Sequence, residues 1–377
     1  MRLLFFFSDT GGGHRSAARA VHEALQRRTD GAASVTFIDI LKTLPRPFPS
    51  LPALWPQMIK LRGLPWGLFY RLTDRRWIVA QGTRALWPYV APALRAELER
   101  HPADALVSFH PLANDLLSLA SATFGGLPPM VSVSQDLVDV HAATFAPHFN
   151  GYTVPTEGAR RRGLQWGVDP ARLHVVGVPI RAAFTALMDL PQAEARARLK
   201  LPTEGQVVVL IGGGEGVGPL VRIVRTLGRC PFEGTPPLLV VITGRNRRLR
   251  RRLQRLSSPR PLRVEGYVQE MALWMRAADL LITKAGPNTL AEAFIAGRPL
   301  ILYTAIPGQE SGNVRYVEGA GAALWAPAPV QVARSVRALL QAPERRQALA
   351  ARARSLARPQ AAGDVADLVR TLGLVKQ

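Results

Sequence analysis

The 377-residue chain has a single cysteine, Cys230. It also has no apolar run that approaches the about 20 residues of a membrane-spanning helix. One cysteine excludes a disulfide framework and fits a reducing compartment such as the cytoplasm. A strand-like run already begins at Arg2, so we expect no signal or transit peptide. Acidic residues are scarce, and the net charge of +21 predicts an anionic partner: a nucleotide, an acidic lipid or a nucleic acid.

The order of strand-like and helical stretches predicts the fold. Apolar residues make up 47% of the chain, which is long enough for two cores. Both halves begin with an apolar strand, a glycine loop and a helix. This alternation predicts an α/β protein with two Rossmann-like, doubly wound domains that face each other across a cleft. We expect the first domain over residues 1–178, the second over 179–350, and a helix in 351–377 that returns to the first domain.

A tight turn after the apolar strand Leu280–Thr283 is the most informative stretch of the sequence. It precedes a helix that ends near Gly297. Such a turn offers free backbone N–H groups and the positive end of a helix dipole, which suit a diphosphate. Glu292 lies one helical turn further on, within reach of sugar hydroxyls. The turn consists of Lys284, Ala285, Gly286, Pro287, Asn288 and Thr289.

Gln309 and Glu310 follow the next apolar strand, at the carboxyl edge where open α/β sheets bind ligands. A phosphate-binding turn, a carboxylate for ribose and a polar pair for a sugar together suggest a nucleotide-sugar pocket. The alternative is an ordinary strand–helix–strand unit in which the glycine and proline serve the turn alone. The pocket is favoured because four polar residues lie on the same edge: Lys284, Glu292, Gln309 and Glu310.

The glycine loop before the first helix predicts a second functional site. Gly12 and Gly13 let the backbone approach a ligand closely, but the loop is not the dinucleotide G-x-G-x-x-G, so it indicates no nicotinamide or flavin site. His14 begins the helix, where the dipole favours the neutral imidazole that a general base requires. Asp9 could orient His14. Alternatively, the histidine is structural and Asp9 caps the loop.

Further glycine and aromatic residues in the second half extend the predicted donor site. Gly213 and Gly214 belong to a glycine loop after the strand Val207–Ile211, and Gly244 with Arg245 follows the next strand. Tyr267 and the Val268 backbone are placed to meet a nucleobase, although Tyr267 could equally be core packing.

Residues 45–92 mix tryptophans with arginines. This composition is typical of an interfacial membrane segment, with rings among the headgroups and cations on phosphates. The alternatives are a packed helical insertion or a nucleic-acid site, but no nucleic-acid motif accompanies the segment. Three further polar residues, His110, Asp136 and His141, follow strand ends. Either histidine could instead be structural. The candidate acceptor and membrane residues are Trp55, Trp66, Arg75, Arg76, Trp77, His110, Asp136 and His141.

Several motifs in order along the chain carry a family resemblance. The chain resembles the monogalactosyldiacylglycerol synthase and processive diacylglycerol glucosyltransferase group of glycosyltransferase family 28. These are inverting GT-B enzymes related to the muramyl-lipid N-acetylglucosaminyltransferase. The matching motifs are SDTGGGHRSAARA (8–20), VSFHPL (107–112), VPTEGARRRGLQWGV (154–168), GVPIR (177–181), IGGGEGVGP (211–219), ITGRNRRL (242–249) and ITKAGPNTLAEA with PGQESGNVRYV (within 282–317).

The resemblance implies a UDP-galactose or UDP-glucose donor, bound mainly by the second domain. It assigns the diphosphate to the Gly286 to Thr289 turn, the ribose to Glu292 and uracil to the Tyr267–Val268 segment. Gln309 and Glu310 would take the sugar, and Asn313 lies in the same motif. His14 would deprotonate the hydroxyl of diacylglycerol, while the Trp/Arg segment binds acceptor and anionic lipid.

The resemblance also bears on cofactors and location. The sequence contains no Asp-x-Asp motif, in keeping with a reaction that needs no metal and no cofactor. We expect a cytoplasmic enzyme held peripherally on the inner face of the cell membrane, with no nucleic-acid partner.

Acceptor identity stays open because the family's Thr-Asp-x-x-x-x-His-x-x-Trp element here has Gln135 before Asp136, and the tryptophan after His141 is missing. A polyprenyl-linked or other hydrophobic acceptor is the near alternative. A UDP-sugar epimerase, a catalytically dead UDP-sugar sensor and a basic nucleic-acid-binding protein are more distant ones.

Overall fold

The computed structural model describes residues 1–9, 12–51, 63–216 and 218–374. The chain divides into two compact units that do not follow simple halves of the sequence. The first unit comprises Met1–Ala182, Ile306–Gly312 and Arg358–Gln377, and the second comprises Ala183–Ala305 and Asn313–Ala357. Two late segments of the chain therefore belong to the first unit.

The first unit is a six-stranded parallel sheet with the order β2-β1-β3-β4-β5-β6. Its strands are β1 (Arg2–Phe7), β2 (Ser34–Asp39), β3 (Ala105–Ser108), β4 (Met130–Val133), β5 (Gly151–Val154) and β6 (Leu173–Val175). Its helices include α1 (Gly13–Arg28), α2 (Ile40–Thr43), α3 (Leu64–Thr73), α4 (Arg76–Arg100), α5 (Pro111–Thr123) and α6 (Glu157–Gln165).

The apolar run of β1 is continuous because both faces of this strand are buried. Leu3, Phe5 and Phe7 pack in one cluster, and Leu4 and Phe6 pack in another on the opposite face. Successive residues of a strand point to opposite sides of the sheet, so a strand covered on both sides has no polar position to alternate with. Hence β1 lies inside the sheet, between β2 and β3.

The second unit is also a six-stranded parallel sheet, with the order β12-β11-β10-β7-β8-β9. Its strands are β7 (Val207–Ile211), β8 (Leu238–Ile242), β9 (Leu262–Glu265), β10 (Leu280–Lys284), β11 (Leu300–Thr304) and β12 (Ala323–Trp325). Its helices are α7 (Ala182–Ala186), α8 (Gln192–Arg198), α9 (Leu220–Arg229), α10 (Arg247–Gln254), α11 (Met271–Ala277), α12 (Pro287–Ala296), α13 (Ser311–Gly319), α14 (Pro329–Gln341) and α15 (Pro343–Ser355). The first two residues of α13 are assigned to the first unit, as is Ala182 of α7.

Each sheet has one topological switch point. In the first sheet β1 has β2 on one side and β3 on the other, and in the second β7 has β8 on one side and β10 on the other. Ligands of open parallel sheets bind outside the carboxyl ends of the strands at such a point. The loops after β1 and β3, and those after β7 and β10, are therefore the places to look for function.

The last helix, α16 (Ala361–Leu374), packs on the first unit. It contacts α1 and β3, and Val365, Ala366 and Val369 are fully buried in the cluster that contains Leu3 and Phe5. The predicted α/β fold with two doubly wound sheets and a returning carboxyl-terminal helix is confirmed. The short strand β12 has no counterpart in the prediction, since three residues carry no readable period.

The Trp/Arg-rich segment is mainly helical where it is described. A 3₁₀ turn spans Phe48–Ser50, and α3 and α4 follow, with Pro88 and Pro92 inside α4. Trp55 lies outside the described residues. Across the four described ranges, none of the helices combines the length and apolarity that crossing a bilayer requires.

Candidate functional site

His14 lies at the switch point of the first sheet. α1 begins at Gly13, and its N-cap residue Gly12 has φ +78°. A Cβ added at Gly12 would meet nothing within 4 Å, so the backbone conformation rather than packing requires glycine here. His14 therefore occupies the first turn of α1, where the helix dipole disfavours an imidazolium.

The loops after β1 and β3 bring two histidines together. The rings of His14 and His110 have centroids 4.8 Å apart, with their planes at 70°. His110 is the N-cap of α5, and its Nδ1 accepts a hydrogen bond from the Leu112 N–H at 3.2 Å. An Nδ1 that accepts carries no proton, so the proton of neutral His110 lies on Nε2. His110 is thus a structural cap and also the neighbour of His14.

Burial keeps both imidazoles neutral. Desolvation lowers the pKa of His14 to about 4, although a backbone hydrogen bond to Phe109 acts in the opposite direction. Burial also lowers the pKa of His110 well below its ordinary value, and the proximity of His14 adds to this effect. Within the described ranges, His14 Nδ1 is buried and has no hydrogen-bond partner. A neutral imidazole with an unsatisfied nitrogen can take a proton from a hydroxyl.

Asp9 does not orient His14 in this structure. Its carboxylate accepts two hydrogen bonds from the Arg15 guanidinium, at 2.6 and 2.5 Å, and Lys42 Nζ lies 3.6 Å away. The bidentate hydrogen bonds from Arg15 are the main cause of the lowered pKa of Asp9. Two cations hold this carboxylate, so Asp9 ties the glycine loop to α1, which corrects the predicted orienting role.

Asp136 and His141 lie beyond the end of β4 but make different contacts. Asp136 is buried, and its negative charge contributes to raising the pKa of Tyr70 after the larger effect of burial. His141 caps the 3₁₀ turn Ala142–Phe145, because its Nδ1 accepts from the Ala143 N–H at 3.1 Å. Its Nε2 lies 3.2 Å from Thr73 Oγ1 at the end of α3. His141 therefore joins α3 to the sheet edge.

A charged network fixes the junction between α3 and α4. Asp74 forms an ion pair with Arg162 and accepts a hydrogen bond from the Ala142 N–H at 2.8 Å. Arg76 donates to Asp115 at 3.1 Å and to the Ala142 carbonyl at 3.2 Å. Of the predicted membrane cations, Arg76 is thus held in an internal ion pair, whereas Arg75 is exposed.

The outer face of α3 is apolar and exposed. Four of its side chains, spaced so that they share one side of the helix, are between 51% and 65% exposed: Leu64, Leu68, Phe69 and Leu72. Trp77 at the start of α4 is 58% exposed, whereas Trp66 is half-buried. Trp87 packs with Phe124 on the core. Exposed apolar side chains grouped in this way mark an interaction surface.

Gln309 and Glu310 belong to the first unit by their contacts. The Trp66 indole N–H donates to Gln309 Oε1 at 3.2 Å. Glu310 is buried, and its Oε2 accepts from the Ile306 N–H at 2.9 Å. Asn313, four residues after Gln309, belongs to the second unit, where its Nδ2 donates to the Ala285 carbonyl at 2.9 Å.

Glycine loops converge at the switch point of the second sheet. Gly213 has φ +72°, and a Cβ added to it would lie 3.6 Å from Lys284 Cε. Gly244 has φ +62°, and its Cβ would lie 2.3 and 2.4 Å from the carbonyl oxygens of Gly214 and Gly213. No side chain fits between these loops. The Arg245 N–H donates to the Gly214 carbonyl at 2.7 Å, which fastens the loop after β8 to the loop after β7.

The predicted phosphate-binding turn is a helix N-terminus. Gly286 is the N-cap of α12, and Pro287 is its first residue, followed by Asn288 and Thr289. Proline at this position is preset for a helix and lacks an N–H that would need a partner. Ala285 is buried and Glu292 is half-buried further along α12. The ten-residue helix directs its positive dipole end towards the carboxyl edge of the sheet.

Tyr267 and Val268 follow β9 at the same edge of the second sheet. Tyr267 is 60% exposed, so it is not core packing, while Val268 is half-buried. The Arg245 guanidinium lies over the Tyr267 ring, 4.9 Å from its centroid. The structure thus brings together two of the predicted donor residues.

Sequence reasoning missed Thr283. Its hydroxyl at the end of β10 is buried and, within the part of the chain that the structure describes, has no hydrogen-bond partner. The signal that could have identified Thr283 is a polar residue at the end of an otherwise apolar strand, next to a switch point.

No group of three or more histidine, cysteine, aspartate or glutamate side chains able to hold a metal occurs in the described ranges. Metal independence stays a prediction.

Comparisons with known proteins cover nearly the whole chain. The family model described as monogalactosyldiacylglycerol (MGDG) synthase matches residues 14–180, and that of the glycosyltransferase family 28 C-terminal domain matches residues 207–365. The chain is 33% identical to the probable monogalactosyldiacylglycerol synthase 3, chloroplastic, of Oryza sativa subsp. japonica, over 100% of this chain and 76% of that protein. It is 32% identical to monogalactosyldiacylglycerol synthase 2, chloroplastic, of Arabidopsis thaliana, over 96% of this chain and 79% of that protein. Among solved structures it resembles Acinetobacter baumannii MurG with a TM-score of 0.62 at 16% identity, over 98% of this chain and 99% of that one, a likeness of fold.

Proposed function

The chain belongs to the monogalactosyldiacylglycerol synthase family of glycosyltransferases, and we propose that it transfers a hexose from UDP-galactose or UDP-glucose to the hydroxyl of diacylglycerol at a lipid surface. The observation that carries this proposal is the complementary chemistry at the two switch points. The first has a buried neutral imidazole at His14, which suits an alcohol. The second has a glycine cradle beside Lys284 and the N-terminus of α12, which suit a diphosphate.

In the proposed reaction His14 acts as the general base. The diacylglycerol hydroxyl oxygen attacks the anomeric carbon of the sugar while its proton passes to the His14 imidazole. The bond from the anomeric carbon to the diphosphate oxygen breaks, and UDP leaves with the bonding electron pair. Attack opposite the leaving group inverts the anomeric centre. The pKa of about 4 keeps His14 unprotonated at neutral pH, so it can accept this proton.

We assign the donor contacts residue by residue. The N–H groups at the start of α12 and the cradle of Gly213, Gly214 and Gly244 would hold the diphosphate, and Lys284 would offset its charge. Glu292 would accept the ribose hydroxyls, and Tyr267 with Val268 would contact uracil. Gln309 and Glu310 would bind the hexose. Asn313 orders the turn by its hydrogen bond to Ala285.

The acceptor side of the proposal depends on α3. The exposed stripe of Leu64, Leu68, Phe69 and Leu72 offers the apolar area that interfacial binding needs. Arg75 and Trp77 adjoin it, and the net charge of +21 favours an anionic bilayer. We propose that the enzyme works peripherally on the inner face of the cell membrane. Trp55, His110, Asp136 and His141 keep their predicted acceptor roles within this proposal.

The decisive experiment uses vesicles that contain an anionic phospholipid and diacylglycerol, with UDP-galactose or UDP-glucose as donor. We expect a monohexosyl diacylglycerol by mass spectrometry with one donor or both. A chelator should leave the rate unchanged, because Lys284 and backbone N–H groups meet the charge of the leaving diphosphate. No glycolipid with either donor would reject the acceptor assignment. Conversion of the donor into an isomeric UDP-sugar would favour an epimerase instead.

A further inference from the structure

The inner face of α3 packs against the loop that carries Gln309. A Cβ added to Gly67 would lie 2.8 Å from Pro307 Cβ and 2.9 Å from the Pro307 carbonyl oxygen. A Cβ added to Gly63 would lie 2.9 Å from Pro307 Cδ. Contacts this close require glycine at both positions, since any side chain would push the loop away. Both α3 and residues 306–312 belong to the first unit.

Trp66 adds a directional contact to this packing. Its indole N–H donates to Gln309 Oε1 at 3.2 Å. The indole nitrogen can only donate, so this hydrogen bond determines which end of the carboxamide faces the tryptophan. The NH₂ group of Gln309 is then left with both of its donors for other groups. Sugar hydroxyl oxygens are suitable acceptors for them.

The helix that makes these contacts is firmly attached to the first unit. The Tyr70 hydroxyl donates to the Asp139 carbonyl at 2.6 Å, and burial raises the pKa of Tyr70 so that this donor keeps its proton. At the end of α3, Thr73 contacts His141 and Asp74 pairs with Arg162. The inner face of α3 is therefore held on a rigid base, while its outer face carries the exposed apolar stripe.

We propose that Trp66 is a positioning residue that aligns the Gln309 carboxamide for the donor hexose. This inference depends on the proposed role of Gln309 and extends it to a residue outside the sugar contact.

The first test compares Trp66→Phe with the wild-type enzyme by calorimetry, without acceptor. Phenylalanine keeps a ring but removes the N–H donor. We expect the Kd of the accepted UDP-hexose to rise about five-fold, the value of one hydrogen bond, while the Kd of UDP stays the same. The matched control is Trp166→Phe. The Trp166 indole nitrogen is buried and, among the described residues, has no partner, so this variant should leave both constants unchanged.

The second test displaces the loop that carries Gln309 and leaves the indole N–H of Trp66 in place. Gly67→Ala places a methyl group against Pro307 and should weaken UDP-hexose binding at least as much as Trp66→Phe, again with UDP unaffected. Gly82→Ala is the matched control, because a Cβ at Gly82 on α4 meets nothing within 4 Å. Thermal unfolding of both variants separates a local shift of the loop from loss of the fold. If Gly67→Ala fails to fold, Trp66→Phe alone decides.

An unchanged UDP-hexose Kd in Trp66→Phe would overturn the positioning role. Failure of the proposed function itself looks different, since the wild type would then bind neither UDP nor UDP-hexose.

Discussion

At the scale of single residues, burial determines the chemistry of His14. Its first-turn position and its desolvated surroundings both disfavour the imidazolium, and the neighbouring His110 is neutral as well. A base with a pKa of about 4 is weaker than free imidazole but is fully unprotonated at neutral pH. The lowered pKa therefore keeps His14 available as a base at neutral pH, but it also makes His14 a weaker base.

We expect the acid limb of kcat/KM to lie near pH 4. The folded pKa of His14 is lowered from 6.5 to about 4, so the active neutral form persists until the pH falls through that lower value. The same shift costs stability as the pH falls from 6.5 towards 4, because the unfolded chain takes up this proton first. The measurement is a pH–rate profile with a check that activity returns at pH 7. An acid limb near 6.5 would contradict a buried base.

Replacing His14 by alanine should lower kcat by about 10²- to 10⁴-fold, the usual contribution of a general base. UDP affinity should stay nearly intact, because we assign UDP to the glycine loops of the second unit. His22→Ala is a suitable control, since His22 lies on the same helix and packs against Phe37. The measurements are initial rates of lipid glycosylation and UDP titration. Full activity of His14→Ala would show that the base is another group.

The case of Asp9 shows where prediction from sequence stops at this scale. The sequence places a carboxylate and a histidine five residues apart in one loop, which permits a catalytic pair. In the structure Arg15 takes the carboxylate with two hydrogen bonds, and Lys42 comes from a different element. Sequence spacing identifies candidate partners, but competition among cations is decided by three-dimensional distances.

At the scale of elements, α3 exposes side chains that the composition of residues 45–92 does not single out. The composition of the segment indicates its tryptophans as the interfacial residues. The exposed stripe on α3 instead consists of leucines and a phenylalanine, and Trp87 packs on the core. The face that a helix exposes depends on which residue begins it, and element boundaries are the least certain part of sequence reading. The contact between Trp66 and Gln309 joins residues 243 positions apart and has no local signal.

Leu68→Asp should weaken binding to anionic vesicles by about ten-fold or more, because a buried leucine contributes roughly 1.5–3 kcal/mol in apolar surroundings. The folded state should keep its stability, since Leu68 is exposed in water. Val330→Asp is the control, because Val330 on α14 is 61% exposed but lies outside the stripe. Vesicle sedimentation measures both variants. Equal losses would point to net charge rather than to the α3 face.

At the scale of the whole molecule, the repeating order of strands made the fold predictable. Parallel strands buried on both faces are apolar throughout, and glycine loops punctuate them at the switch points. The assignment of residues 306–312 to the first unit was not predictable, because it depends on packing between distant segments. Most side-chain contacts of the candidate site were unpredictable for the same reason. Its glycine loops and the N-terminus of α12 could be predicted, because they follow from local sequence patterns.

Val369→Ala should lower the stability of the first unit by about 2 kcal/mol, as expected for a large-to-small change in a core. Val369 is fully buried beside Leu3 and Phe5, although it lies at the opposite end of the sequence. UDP affinity should not change, because the proposed UDP contacts belong to the second unit. Chemical denaturation and UDP titration check the two expectations. A loss of UDP binding in the folded variant would contradict this division of roles.

The return of α16 to the first sheet has a consequence for biosynthesis. A ribosome emits β1 and α1 first, but the valines that complete their core emerge only after every strand of the second sheet. The part of the nascent chain that carries β1 and α1 must therefore wait, with an apolar surface uncovered, until residues 361–374 have been translated.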